Sequence, residues 1–183
     1  ESFAKRVSLL GHSMGGKAAM VASISRPEIF KKLVVVDISP VNYAESEFIN
    51  FIELLQELNL NEIKSRKEAD IKLQERIVDR NLRSFLLQNL YLDENNNYNW
   101  KINLESLKKN IDNIKLFPNL QNRFKGKTLF LKGKNSNYIQ EKHLPLINDF
   151  FPNYSLREIA NSGHWPHAEQ QDLFRKELLT FFA

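Results

Sequence analysis

The chain of 183 residues contains no cysteine. That excludes a disulfide framework, thiol chemistry and a cysteine-ligated metal site. It suits a reducing compartment, so the cytoplasm, or the mitochondrial matrix in a eukaryote, is the expected location. Also lacking is any apolar run of the eighteen or so residues that a membrane-spanning helix needs. The basic excess is small, a net charge of +4, and comes from scattered lysines without a tight basic block. Nucleic acid is therefore not an expected partner. Glycine is scarce as well: of the six present, Gly11, Gly15 and Gly16 fall in one short stretch. The hydrophobic share of 42% and charged share of 26% are those of an ordinary globular protein. The length allows one domain with a real core and hardly two.

The glycine-rich stretch reads Gly11-His12-Ser13-Met14-Gly15. Before it, Arg6-Val7-Ser8-Leu9-Leu10 is a short, mostly apolar run of the kind that makes a buried strand. After it, Gly16 leads into Lys17-Ala18-Ala19-Met20-Val21-Ala22, rich in good helix formers. Strand, G-x-S-x-G and helix together describe a sharp turn that lifts a serine hydroxyl out of the sheet. Gly11 and Gly15 are expected to flank a turn too tight for side chains. Ser13 is the expected nucleophile, and the Met14 amide is expected to face the oxyanion that its attack creates. The competing reading is a glycine turn with a chance serine.

Along the chain, residues 1–5 read as the tail of a helix, and the helix after Ser13 is expected to stop at Arg26-Pro27-Glu28. Lys32-Leu33-Val34-Val35-Val36 is a second strand, β-branched and without polar alternation, as a parallel strand covered on both faces is. Asp37 stands at its C-terminal tip. From Asn42 to Leu120 the pattern turns helical. Phe48, Phe51, Ile52, Leu55 and Leu58 recur at helical spacing, with Glu45, Glu47, Glu53 and Glu57 among them. An amphipathic stretch follows over Ile63–Leu90, broken near Asn81. Then come a hairpin from Tyr91 to Trp100 and a helix over Leu104–Ile114. This segment reads as a lid. Thr128–Leu131 and Tyr154–Ile159 resume the strand pattern, with a helix between them and a last helix over Glu169–Phe182. The expected organisation is a core at residues 1–41, a helical lid insert at 42–120, and the rest of the core at 121–183.

A serine hydroxyl needs a base. His164, in the loop after the last strand, is free to reach across the strand tips, and His167 is its alternative. His12 precedes the nucleophile, so its ring is expected to turn away from the hydroxyl, as a packing and hydrogen-bonding residue. His143 is expected to lie solvated at the start of a surface helix. The base in turn needs a carboxylate. The usual G-x-x-D position reads Gly133-Lys134-Asn135-Ser136, with a serine in place of the acid. Asp37, beside the nucleophile strand, is the better candidate, although a turn-forming role would also explain it. No metal and no cofactor are expected.

With these residues in place, the chain resembles the α/β-hydrolases: a mostly parallel sheet flanked by helices, with a helical lid. Within them it is similar to the YbfF-type bacterial esterases and abhydrolase domain-containing protein 11. The likeness lies in Gly11–Lys17, in Val35-Val36-Asp37-Ile38-Ser39-Pro40-Val41, in Gly133–Ser136 and in Gly163-His164-Trp165-Pro166-His167-Ala168. The resemblance implies the acid at Asp37 and hydrolysis of small carboxylic esters of short to medium acyl chain, including thioesters, without cofactor. Carbon–carbon bond hydrolysis or perhydrolysis on the same triad is the alternative chemistry, and a non-catalytic binding member of the fold is the third reading. Dehalogenase and epoxide hydrolase chemistry would need a carboxylate where Ser13 stands.

The chain opens on Glu1, and no signal or transit pattern precedes the first strand. Relative to that family it is expected to correspond to the C-terminal portion, without the strands that precede the nucleophile strand. The consequences expected are an exposed apolar sheet edge, a single oxyanion donor and weak activity of the isolated chain.

Overall fold

The computed structural model describes residues 6–43 and 48–183. The expected helix tail at residues 1–5, and Glu45 and Glu47, lie outside the described residues. The chain divides into two compact units, residues 1–42 with 116–183, and Tyr43–Lys115.

The first unit is built on a four-stranded sheet: β1 (Val7–His12), β2 (Phe30–Val36), β5 (Lys127–Gly133) and β6 (Tyr154–Ile159), in that spatial order. All three pairings are parallel. Parallel strands need crossovers, and the sequence supplies helices for them. Helix α1 (Met14–Ser25) joins β1 to β2, and α6 (Leu144–Phe150) lies between β5 and β6. The β-branched run of β2 is explained by its position, since Leu33, Val34, Val35 and Val36 are all fully buried. Val34 and Val36, with Leu129 and Leu131 of β5, pack under Phe174, Leu178 and Phe181 of the last helix, α8 (Gln171–Phe182). Val35 points to the opposite face, where a side chain on Gly16 of α1 would stand 3.4 Å from it. Strand β1 stands at one edge of this sheet, with Val7 51% and Leu10 43% exposed.

The second unit holds α2 (Phe48–Glu57), α3 (Arg66–Gln74), α4 (Arg80–Leu87), the antiparallel pair β3 (Leu90–Leu92) and β4 (Tyr98–Trp100), and α5 (Leu104–Lys115). Its core is aliphatic, centred on Leu55, Leu73, Leu87 and Leu90. Asp93 closes the hairpin by accepting from the amides of Asn95 and Asn97, which is why asparagine and aspartate gather there. The break in the Ile63–Leu90 stretch falls before Asn81. Asp79 caps α4 by accepting from the Asn81 and Leu82 amides, so the helix restarts there.

One expectation is extended and another changes. The last helix, expected over Glu169–Phe182, is α8 (Gln171–Phe182), and a short α7 (Pro166–Glu169) precedes it, beginning at a proline, a residue suited to a helix start. His143 is not solvated. It is buried just ahead of α6, with Nδ1 3.0 Å from Ser39 Oγ.

Candidate active site

The sheet delivers the site residues at the C-terminal ends of its strands: β1 and β2 end level, His12 paired with Val36, while β5 runs past Leu131, the partner of Val36, to Gly133. The pairing continues one residue past each strand: the Ser13 amide donates to the Val36 carbonyl at 3.0 Å, and the Asp37 amide to the Leu131 carbonyl at 2.8 Å. There the backbone breaks away. Ser13 has φ 52° and ψ −122°, and Asp37 has φ 50°. For residues with a β-carbon, such conformations cost on the order of 1–3 kcal/mol each and persist only where the surroundings enforce them. The enforcement at Ser13 is steric and local. A β-carbon on Gly11 would meet the Gly15 carbonyl oxygen at 2.2 Å, and one on Gly16 would meet the Ile38 side chain at 2.5 Å. Gly15 itself is open, with nothing within 4 Å of where its β-carbon would be. The tight pair is thus Gly11 and Gly16. Gly15 contributes its backbone, which passes directly beneath Gly11.

Three of the expected residues come together in one hydrogen-bonded chain. Ser13 Oγ donates to His164 Nε2 at 2.9 Å, and His164 Nδ1 donates to Asp37 Oδ2 at 2.8 Å. The Asp37 side chain is fully buried, and that of His164 is 10% exposed. Asp37 also accepts from Ser136 Oγ at Oδ2, and from the Gly133 amide at Oδ1 at 3.0 Å. Three donors compensate a carboxylate for the water it loses on burial. Ser136 was visible in the sequence only as the residue occupying the usual acid position; its bond to Asp37 joins groups 99 residues apart.

The loop carrying His164 passes close over Gly133, where a β-carbon would stand 1.9 Å from the Gly163 carbonyl oxygen. Tyr138 stacks on the imidazole, ring centroids 4.0 Å apart and planes inclined by 27°. Sequence reasoning missed Tyr138, because an isolated tyrosine in a loop carries no periodic signal. It is His164, not His167, that bonds Ser13. The His167 ring lies edge-on to His12 at 4.6 Å and near Phe174 at 6.0 Å, so it is placed as a neighbour of His12. His12 turns its Nε2–H to the His164 carbonyl at 2.7 Å. Burial, opposed by that hydrogen bond, pushes the His12 imidazole down to about 4. Burial also lowers His167 and, away from this cluster, His143.

Met14 opens α1, and its side chain is 57% exposed. Its amide is among the first of the helix, which have no partner within the helix itself. Lys17, one turn on, is buried. Its Nζ donates to the Leu116 carbonyl at 3.1 Å, and burial lowers it to about 8. Among the described residues no group of three or more histidine, aspartate or glutamate side chains is arranged to hold a metal ion, and no helix is long and apolar enough to cross a membrane.

Known proteins resemble this chain in sequence and in fold. The mouse (Mus musculus) sn-1-specific diacylglycerol lipase ABHD11 is 37% identical over 180 residues, which are 96% of this chain and 58% of that protein. Esterase YbfF of Escherichia coli is 27% identical over 167 residues, 91% of this chain and 63% of that protein. The chain thus spans less than two thirds of the length of either relative. Among solved structures, a marine microorganism esterase superposes with a TM-score of 0.92 at 39% identity, covering 97% of this chain and 70% of its own. A family model described as the alpha/beta hydrolase fold matches residues 3–171. The chain belongs to the α/β-hydrolase fold family.

Proposed function

We propose that the chain carries the nucleophile, base and acid of a serine esterase. The observation that supports this reading above all others is the continuous hydrogen-bonded chain from Ser13 through His164 to Asp37. In the proposed reaction Ser13 Oγ attacks the carbonyl carbon of a small carboxylic ester or thioester while His164 Nε2 takes its proton. The Met14 N–H donates to the oxyanion of the tetrahedral intermediate. His164 returns the proton to the departing alcohol or thiol, leaving an acyl-Ser13. Water, deprotonated by the same imidazole, releases the acid. Asp37 holds the tautomer that leaves Nε2 bare toward Ser13, and it stabilises the imidazolium. An ester substrate accords with the names of the relatives, a lipase and an esterase.

The reading includes slow turnover by these 183 residues alone. One oxyanion donor is typically worth about 10²–10³ in rate, and Met14 supplies a single amide. The test is labelling of the chain and of its Ser13→Ala variant with a fluorophosphonate, read by intact mass. One adduct on the parent and none on the variant is the expected result. A folded parent that takes no adduct would overturn the proposal.

A further inference from the structure

His12 and Glu169 make contacts that the proposed chemistry does not use. Glu169, at the end of α7, accepts from two amides of the base loop: Gly163 N at 2.8 Å to Oε2 and Trp165 N at 3.0 Å to Oε1. His12 donates to the His164 carbonyl. The His164 carbonyl and the Trp165 amide belong to one peptide unit, and in a trans peptide they point in opposite directions. That peptide plane is therefore gripped at both edges by side chains, and the Gly163 amide on the other side of His164 is held as well. Rotation of the His164–Trp165 peptide would break both of its bonds, while the Gly163 amide, in the peptide that precedes Gly163, anchors the loop one step further back.

The two grips come from different elements. Glu169 closes the loop on itself from within a few residues. His12 reaches it from the last residue of β1, paired in register with Val36, and is bonded directly to Ser13 in the chain. The hydrogen bond from His12 thus ties the backbone of the base to the backbone of the nucleophile. Asp37 cannot do this, because it holds only the imidazole ring.

From this geometry we infer, on the reading of His164 as base, that His12 and Glu169 are positioning residues: together they clasp the His164–Trp165 peptide and set the distance between His164 Nε2 and Ser13 Oγ. The chemistry of His12 suits the task. Its ring lies 4.8 Å from that of His164, where a second positive charge would oppose formation of the imidazolium. Burial keeps it neutral at ordinary pH, so it stays an uncharged N–H donor.

The test compares the parent with His12→Phe, which keeps a ring and loses the donor, and His12→Gln, which keeps an N–H donor. Glu169→Gln, with one acceptor in place of two, completes the set. Two readouts are taken on each folded protein: the rate of fluorophosphonate labelling at Ser13, and the low-field proton resonance of the His164–Asp37 hydrogen bond. A misplacement of about 1 Å costs on the order of 10² in rate. His12→Phe is therefore expected to slow labelling by about 10- to 100-fold and to shift or broaden the resonance. His12→Gln is expected to recover most of both, and Glu169→Gln to fall between. Labelling of His12→Phe at the parental rate with an unchanged resonance would overturn the clasp and leave the esterase reading standing. If the parent takes no label, the esterase reading falls and the resonance decides alone. Its loss in His12→Phe with return in His12→Gln supports the clasp, and an identical resonance in all three proteins overturns it.

Discussion

The two units bury different kinds of side chain. Among the described residues, the helical unit buries one charged or polar side chain, Arg83, and its other buried side chains are aliphatic. Arg83 is accounted for structurally: it bonds Asp70 and the Ile77 and Val78 carbonyls, closing the turn between α3 and α4. The sheet unit buries Asp37, Ser39, Ser136, His143 and Ser162 beyond the C-terminal ends of strands, besides Lys17 and Ser23 in α1 and Thr128 in β5. Buried polar groups cost free energy unless fully hydrogen-bonded, and none of the buried side-chain nitrogens and oxygens described is left without a partner. One unit buries what is cheapest to bury. The other gathers most of its buried polar side chains at the C-terminal ends of its strands, where strand tips and loops converge to satisfy them.

The largest effect expected from that contrast is at Asp37. Asp37→Asn keeps the shape but offers the imidazole an amide that favours the wrong tautomer, so labelling of Ser13 should slow by about 10⁴. Slowing of less than tenfold would mean that the polar cluster is only a fold device. The matching change in the helical unit is Leu55→Ala, at a fully buried aliphatic position. It should cost about 2–5 kcal/mol of stability, measured by denaturant unfolding, and leave the His164–Asp37 proton resonance unchanged. If that resonance were lost, the two units would not be separable in this way.

A smaller effect is expected at Ser136. Ser136→Ala removes one of three donors to the Asp37 carboxylate. It should cost about 1–3 kcal/mol of stability and slow labelling far less than Asp37→Asn does. A further effect is expected in pH dependence. His12 titrates near 4 in the folded chain against an ordinary value of 6.5. Between those values the unfolded chain takes up a proton that the folded chain refuses, so this contribution is complete above 6.5 and is lost as pH falls toward 4. His143 and His167 are also lowered and act in the same direction. Melting temperatures from pH 7 to 4 should fall more steeply for the parent than for His12→Gln. Equal slopes would show that His12 titrates normally.

Much of the sheet unit was legible in the chain. A run such as Leu33–Val36, β-branched and unbroken, can be satisfied only where both faces are covered, and Tyr154–Ile159 was read with its observed bounds. Capping chemistry was harder to see: the short α7 ahead of the last helix starts from a single proline and is too short to carry a periodic pattern. His143, expected to lie solvated at the start of a surface helix, is buried instead. Its burial comes from Ser39 on a different strand end. Gly15 was expected to be tight by its place in the motif, yet the contacts fall on Gly11 and Gly16, which only the three-dimensional path of the turn distinguishes.

The sequence alone determined the elements and the residue types of the site, because hydrophobic periodicity, proline stops and the glycine-bracketed serine act over a few residues. It narrowed the base and the acid to a few candidates. Only the tertiary structure decided which of them meet. Ser13, His164, Asp37 and Ser136 are far apart in the chain and are linked one to the next by hydrogen bonds only because parallel strands bring their C-terminal ends to one side of the sheet and a loop passes over Gly133. Hydrogen bonds reach about 3 Å, and nothing in local propensity reports a distance so short between residues so remote.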